Sequence, residues 1–248
     1  MLNQQTVDYL RRLKLYGMIV QLEHFQDNPS LSPNSFDECF AQVVEAQWHD
    51  FLTRRQKGLT RFAKLKIPSA FIEDMDFKAD RQLDRGQIMD LALCKWVIKN
   101  QHVILEGASG GGKTWMACAL ANQAIRQGHR VLFMRFSLLM EELHIARGDG
   151  SLPKLRRKIA RAKLLVIDDF GLATVSQESI LDFLEIIEER MGKGSLVITS
   201  QLPIGAWHQY FEQSTVADAI LDRLIHRAHI IKPRGGSMRK LQAEKEGV

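Results

Sequence analysis

Gly107-Ala108-Ser109-Gly110-Gly111-Gly112-Lys113-Thr114 is the stretch on which the reading of this chain turns. It follows the apolar run Val103–Glu106 and precedes an amphipathic stretch, Trp115–Gln127, so a strand enters the glycines and a helix leaves them. The run satisfies G-x-x-x-x-G-K-[ST] in full. Glycines let backbone N–H groups converge on phosphate oxygens without Cβ clashes. The helix that follows adds the positive end of its dipole. Lys113 is placed to reach the β- and γ-phosphates, and the Thr114 hydroxyl to ligate Mg²⁺. Trp115 completes the nucleotide-binding stretch, although its indole reads as packing. The bland alternative is a glycine-rich turn that happens to carry Lys-Thr, and the correctly placed strand and helix argue against it.

Outward from the loop, short apolar runs alternate with amphipathic stretches. Strands are expected at Val103–Glu106, Val131–Arg135, Leu164–Asp168, Leu196–Thr199 and Ala228–Ile231, with crossover helices such as Lys113–Gln127 and Gln177–Arg190 between them. That alternation predicts an α/β fold, a five-stranded parallel sheet with helices on both faces. The first sixty residues read differently. Phe36, Phe40, Val43, Val44, Trp48, Phe51 and Leu52 recur at helical spacing, with Ser35 as N-cap and Glu38 as its capping-box partner. Arg54-Arg55-Gln56-Lys57 is then expected to complement the dipole at that helix's end. Residues 1–66 are expected to form a small all-helical domain with its linker, and residues 67–248 the nucleotide-binding domain.

The 248 residues are 45% hydrophobic and 25% charged, enough for one large core with a small extension. No apolar run is long enough to span a bilayer, and Met1-Leu2-Asn3-Gln4-Gln5 is not a secretory signal, so no membrane association is expected. Three scattered cysteines, Cys39, Cys94 and Cys118, fit a reducing cytoplasm. His226 and His229 lack a third ligand, so no transition-metal site is expected.

Leu164-Leu165-Val166-Ile167-Asp168-Asp169 reads as a buried strand ending in two carboxylates. Asp168 is placed to hold Mg²⁺, and Asp169 to orient and deprotonate an attacking water; the alternative is an Asp-Asp turn closing a strand. Aspartate is one methylene shorter than the glutamate usual there, which predicts slow turnover. The run Ser195–Gln201 ends in polar residues at the edge where ligands of parallel sheets bind. Ser200 or Gln201 is therefore expected to touch the γ-phosphate or the lytic water, unless this is a simple polar strand end. Arg223, late in the amphipathic segment Val216–Arg227, is either an ordinary exposed helical arginine or a finger reaching a neighbouring subunit's nucleotide.

The charge is unevenly spread. Ser151–Lys163 holds six bases and no acid, and without them the net charge falls from +5 to −1. On a helix beginning near Pro153, Leu155, Ile159 and Ala162 share one face and Lys154, Arg157, Lys158 and Arg161 the other. Such a stripe can follow a phosphodiester backbone with salt-dependent, sequence-independent affinity. A solvated helix face is the alternative, and ordinary exposed faces mix signs.

Taken together, "LRRLKLYGM", "AKLKIPSAFIEDMDF", "LDRGQIMDLA", "HVILEGASGGGKT", "GHRVLFMR", "LLVIDDFG", "LVITSQLPIGAWH", "ADAILDRLIHRAHII" and "GGSMRK" resemble the IstB transposition helper ATPases. These are relatives of the DnaC helicase loaders and the DnaA initiator within the AAA+ class. The "TSQLP…W" and "DAILDRL…H" strings are far more specific to that family than the phosphate loop.

The resemblance implies a slow, Mg²⁺-dependent ATPase, stimulated by oligomerisation or DNA. It implies a bacterial, cytoplasmic protein, nucleoid-associated when on DNA. Such a protein self-assembles on duplex DNA without sequence preference, with ATP at subunit interfaces, and deforms that DNA. It then recruits and stimulates an IstA-type transposase, and hydrolysis resets the assembly. Arg223 matches the family's finger position, Gly150–Lys163 lies where relatives carry a DNA-facing helical insertion, and Phe77 and Leu83 fall in the stretch that lines the adenine pocket. Two departures stand out. Ala108 replaces a common proline, and no long helical lid follows Ile231, leaving Arg239 as the one candidate for a second sensor. The competing reading is a DnaC-like loader whose N-terminal helices grip a replicative helicase. A small-molecule kinase would need an acceptor pocket and an arginine-rich lid, and the sequence offers neither.

Overall fold

The structure is a computed structural model and describes residues 3–31, 35–77, 82–172, 175–211, 214–236 and 238. The chain divides into two compact units, Met1–Gly58 and Leu59–Val248. In the first, α1 (Gln4–Arg12) is capped by Asn3, whose side chain accepts from Gln5 N, and is followed by α2 (Tyr16–Asp27) and α3 (Phe36–Ala63). Ser35 Oγ accepts from Glu38 N at 3.2 Å, the expected N-cap. Gly17 is needed because a Cβ there would lie 2.5 Å from Ala46 O.

Two features of α3 stand out. Its apolar stripe is largely exposed: Val43 is buried, but Phe36 (79% exposed), Phe40, Trp48 and Phe51 are not. The helix also runs on past Gly58, because Leu59 and Phe62 pack against the core and Ala63 is buried in it. Arg54, Arg55 and Lys57 are therefore mid-helix residues rather than a terminal complement to the dipole. Arg54 instead meets Asp50 Oδ1 at 2.9 Å and lies 4.2 Å from the Tyr16 ring centroid.

The second unit begins with the last residues of α3, and its first complete helices are α4 (Arg85–Ala92), capped by Asp84, and the short α5 (Lys95–Ile98). Then follow β1 (His102–Glu106), α6 (Lys113–Arg126), β2 (Val131–Arg135), α7 (Phe136–Gly148), α8 (Leu152–Ala160) and β3 (Leu164–Phe170). The chain continues through α9 (Gln177–Arg190), β4 (Ser195–Ser200), α10 (Trp207–Tyr210), α11 (Ser214–Ile225) and β5 (Ala228–Ile231). All five strands are parallel, in the order β2-β3-β4-β1-β5. Alternate strand residues point to opposite faces, and both faces are covered, which is why the strands read as unbroken apolar runs. Val103, Leu105, Val131, Val166 and Val197 pack with α4, α5 and α6. Ile104, Leu132, Leu165, Ile167 and Ile198 pack with α7, α8, α9 and α11. No described helix is long and apolar enough to cross a membrane.

The amino edge of the sheet is fastened by buried polar groups. The Arg190 guanidinium donates to the carbonyls of Ile159, Ala162 and Ser195 at 2.9–3.0 Å and of Lys163 at 3.2 Å, tying α8, β3 and β4 together. His102 is fully buried, and its Nδ1 accepts from Leu196 N at 3.2 Å. Burial, helped by the Arg190 and Arg227 charges, pushes its pKa down to about 4 from 6.5. Between those values the unfolded chain takes up a proton that the fold refuses. Stability is therefore expected to fall as pH drops from about 6.5 to about 4, by on the order of 3 kcal/mol for this group. The melting temperature of a His102→Asn variant, lower at pH 7, should depend less on acid over that interval. An equal slope in both proteins would remove His102 as the cause.

Candidate nucleotide site

β1 delivers the chain to its carboxyl edge at Glu106, and Gly107 N donates to Ser200 O at 3.1 Å, fixing the loop to the end of β4. Gly110 and Gly112 adopt φ of +83° and +79°, a region open to glycine without strain. A Cβ on Gly107 would lie 2.9 Å from Pro233 O, and one on Gly111 3.3 Å from Ala108 O. At Gly107 and Gly111 the loop is thus a backbone cradle with little room for a side chain. Its Gly112 caps α6, whose first two residues are Lys113 and Thr114. Lys113 Nζ donates to Gly107 O and Ala108 O at 2.7 and 2.8 Å, which holds the ammonium over the cradle. Ser109 is the next residue of the loop. The N–H groups of a helix start and a lysine aimed across them suit a phosphate chain.

Across from the loop, Asp168 ends the apolar run of β3 and is fully buried. Thr114 Oγ1 and Thr199 Oγ1 both donate to its Oδ1, at 2.8 and 2.7 Å, and Lys66 Nζ lies 3.1 Å from Oδ2. Carboxylate and hydroxyl oxygens of this kind are what Mg²⁺ takes, with water completing its shell. A register irregularity between Ile167 and Phe170 follows, and Asp169 there has φ +59°. Its N–H donates to Thr199 Oγ1 at 2.9 Å. Its Oδ2 stands 3.8 Å from Arg135 Nε and 3.9 Å from Lys66 Nζ, and the side chain is 27% exposed. The carboxylate can thus reach water while its backbone is pinned.

Ser200 requires a correction. Its hydroxyl is fully buried, lies 3.0 and 3.1 Å from Phe170 O and Leu202 O, and accepts from Leu202 N. It ties the strand end to backbone and does not face the carboxylates. Thr199 does so instead. Period two identifies it: Val166 is level with Val197, so Asp168 and Thr199 share a face.

Phe77 and Leu83 pack against the core under α4 and α6, as does Trp115, and the Arg85 guanidinium lies 5.5 Å from the Phe77 ring centroid. Arg239 lies outside the described residues. Nearby, Met238 N donates to Gly110 O at 3.0 Å, so the chain after β5 passes over the loop. Arg223 is elsewhere. Its α11 leads into β5, whose first residue is level with His102 at the start of β1, whereas the loop follows the end of β1. Arg223 therefore belongs to the amino edge, roughly a strand length (about 15 Å) from its own loop. There it donates to Ala219 O at 2.7 Å and Glu188 Oε1 at 2.8 Å.

The basic helix α8 keeps the expected faces. Leu155, Ile159 and Ala162 are buried, and Lys154, Arg157 and Arg161 are exposed. Lys158 is half-buried and lies 3.3 Å from Glu142 Oε2 on α7, so a neighbouring helix supplies the acid that the segment lacks. Arg156 points inward to Asp182, Glu185 and Glu189 of α9. Arg147 grips the same buried Asp182 through two bonds, at 2.9 and 2.6 Å. This brace of two guanidinium groups on one carboxylate holds α8 against α7 and α9 with its outer bases turned to solvent.

A parallel sheet in this order, with a phosphate loop after its first strand and an aspartate pair near the end of its third, defines a P-loop domain of the AAA+ class. Solved structures agree on the fold. DnaI aligns over 68% of this chain and 93% of its own (TM-score 0.59, 23% identity). The replication initiator DnaA bound to AMPPCP and single-stranded DNA aligns over 75% and 57% (TM-score 0.60, 16% identity). The family profile described as IstB-like ATP binding protein matches residues 8–246, and the chain belongs to that family. It is 39% identical to the insertion sequence ATP-binding protein y4pL of Sinorhizobium fredii over 99% of this chain and all of that protein. Identity to the IS21 ATP-binding protein of Pseudomonas aeruginosa is 29%, over 96% and 90%.

Proposed function

We propose that this protein is the ATP-dependent assembly factor of an insertion sequence. It binds Mg·ATP at the Gly107–Thr114 loop, assembles with further copies on duplex DNA, deforms that DNA, and recruits and stimulates a partner transposase. Hydrolysis then resets the assembly. The observation that supports the reading is the gathering of Lys113, Thr114, Asp168 and Asp169 at the carboxyl edge of the sheet, around the loop. Arg223, given a finger role by the family resemblance, lies at the amino edge, so in this reading it serves the nucleotide of another copy.

In this reading the loop N–H groups and Lys113 hold the phosphates, and Thr114 and Asp168 hold Mg²⁺. Held there, Mg²⁺ would supply positive charge against the phosphates. Asp169 takes the proton of the attacking water, and a neighbour's Arg223 meets the charge that develops on the transferred phosphoryl group. Lys154, Arg157 and Arg161, with a weaker share from Lys158, contact phosphodiesters in a salt-dependent way.

The test is Lys113→Ala on long duplex DNA with ATP. Electron microscopy and sedimentation should show wild-type assemblies and none for the variant. Assembly by the variant to the wild-type extent would overturn the proposal. A preference of the wild type for single strands, with capture of a helicase ring rather than a transposase, would replace it with the loader reading.

A further inference from the structure

Lys66 lies in the segment after α3, 47 residues ahead of Lys113, and belongs to no nucleotide-binding motif. Yet its Nζ is 3.1 Å from Asp168 Oδ2 and 3.9 Å from Asp169 Oδ2, bridging both acids of the site. Asp168 is fully buried and its Oδ1 is taken by two hydroxyls, so Lys66 supplies the positive charge on its other oxygen. A buried carboxylate without such a charge is strongly disfavoured.

The backbone that carries Lys66 is fixed to the helix that carries Lys113 and Thr114. Leu65 and Ala70 are buried, and Asn122 of α6 donates to Pro68 O and Ala70 O at 3.0 and 2.7 Å. The Lys66 side chain is 38% exposed and has a path into water. A pinned backbone with a long, half-exposed ammonium at its end is a built-in cation that can leave without unfolding anything.

We infer that Lys66 is the resident counter-cation of the Asp168–Asp169 pair, and that it competes with Mg²⁺ for Asp168. The inference rests on the proposed binding of Mg·ATP at this loop. Asp168 is the carboxylate nearest Thr114, so a metal held between those two residues and an ammonium 3.1 Å from the same carboxylate oppose each other. Lys66 thereby sets how much free Mg²⁺ nucleotide binding requires. It also neutralises the acids when the metal is scarce, so that nucleotide without metal is not repelled. Lys66 is a positioning residue, acting through Asp168.

The experiment measures binding of a fluorescent ATP analogue to the full chain while free Mg²⁺ is raised from chelated to excess. Lys66→Met should need about tenfold less Mg²⁺ for half-maximal binding, the scale of one partly solvated charge contact. Its affinity in chelator should fall about tenfold. Lys66→Arg should restore the wild-type curve. Thermal melting gives the second readout: metal-free Lys66→Met should melt below wild type, and Mg·nucleotide should narrow the gap. In an Asp168→Asn background the Lys66 substitution should leave the Mg²⁺ requirement unshifted. Coincident Mg²⁺ curves for wild type and Lys66→Met overturn the inference. If the wild type itself shows no saturable nucleotide binding, the proposed function fails instead.

Discussion

An Asp169→Asn variant is expected to bind nucleotide as the wild type does and to hydrolyse it on the order of 10²–10⁴-fold more slowly. The substitution is clean because of the backbone. Asp169 sits at φ +59°, and asparagine is among the few residues that tolerate that region, so the irregularity in β3 survives. The Thr199 hydroxyl holds the backbone N–H of residue 169, not its side chain, and that bond is untouched. What changes is the side chain, which loses its charge and its capacity to take a proton. Arg135 and Lys66 stand at 3.8 and 3.9 Å, too far for direct hydrogen bonds, so the carboxylate is oriented by charge yet left open to water. Single-turnover hydrolysis alongside equilibrium binding separates the two effects. Turnover within a few-fold of wild type would show that the proton goes elsewhere.

The parts of this architecture legible in the sequence are those fixed by local chemistry. Glycines that must adopt positive φ, a lysine and a threonine opening a helix, and strands with apolar residues on both faces leave marks within a few positions of one another. Side-chain aim at strand ends leaves a weaker mark. Ser200 and Thr199 are equally polar, and only counting register from Val166 and Val197 to the level of Asp168 selects Thr199. Arg156 illustrates the same difficulty in a helix. Its segment reads as uniformly basic, but three acids of α9, a strand and a loop further on, turn it inward. Long-range partners leave no periodic trace at all. Lys66 at Asp168, Pro233 O against Gly107, and Met238 N on Gly110 O join segments separated by tens of residues or more. Likewise, α3 passes Gly58 because Ala63 is buried far from the stripe that marks the helix's start.

Removing the guanidinium of Arg223 is expected to have an effect of comparable size by a different route. Arg223→Ala should lower turnover on the order of 10³-fold and leave nucleotide affinity near wild type, since a finger acts on transition-state charge. The position of Arg223 makes the assignment testable beyond a single rate. In its own subunit it is bonded to Glu188 and Ala219 O near the amino edge, a strand length from the loop it would serve. Any contribution to hydrolysis must therefore be made to another copy. The exposed, partly solvated Glu188 contact is of a kind that contributes little stability, so exchanging it for a neighbour's phosphate is energetically feasible. It follows that Lys113→Ala and Arg223→Ala subunits, each inactive alone, should regain part of the wild-type turnover when mixed, because an intact loop then meets an intact arginine at some interfaces. A mixture that assembles yet stays silent would place Arg223 outside the reaction and leave it as a tie between α11 and α9.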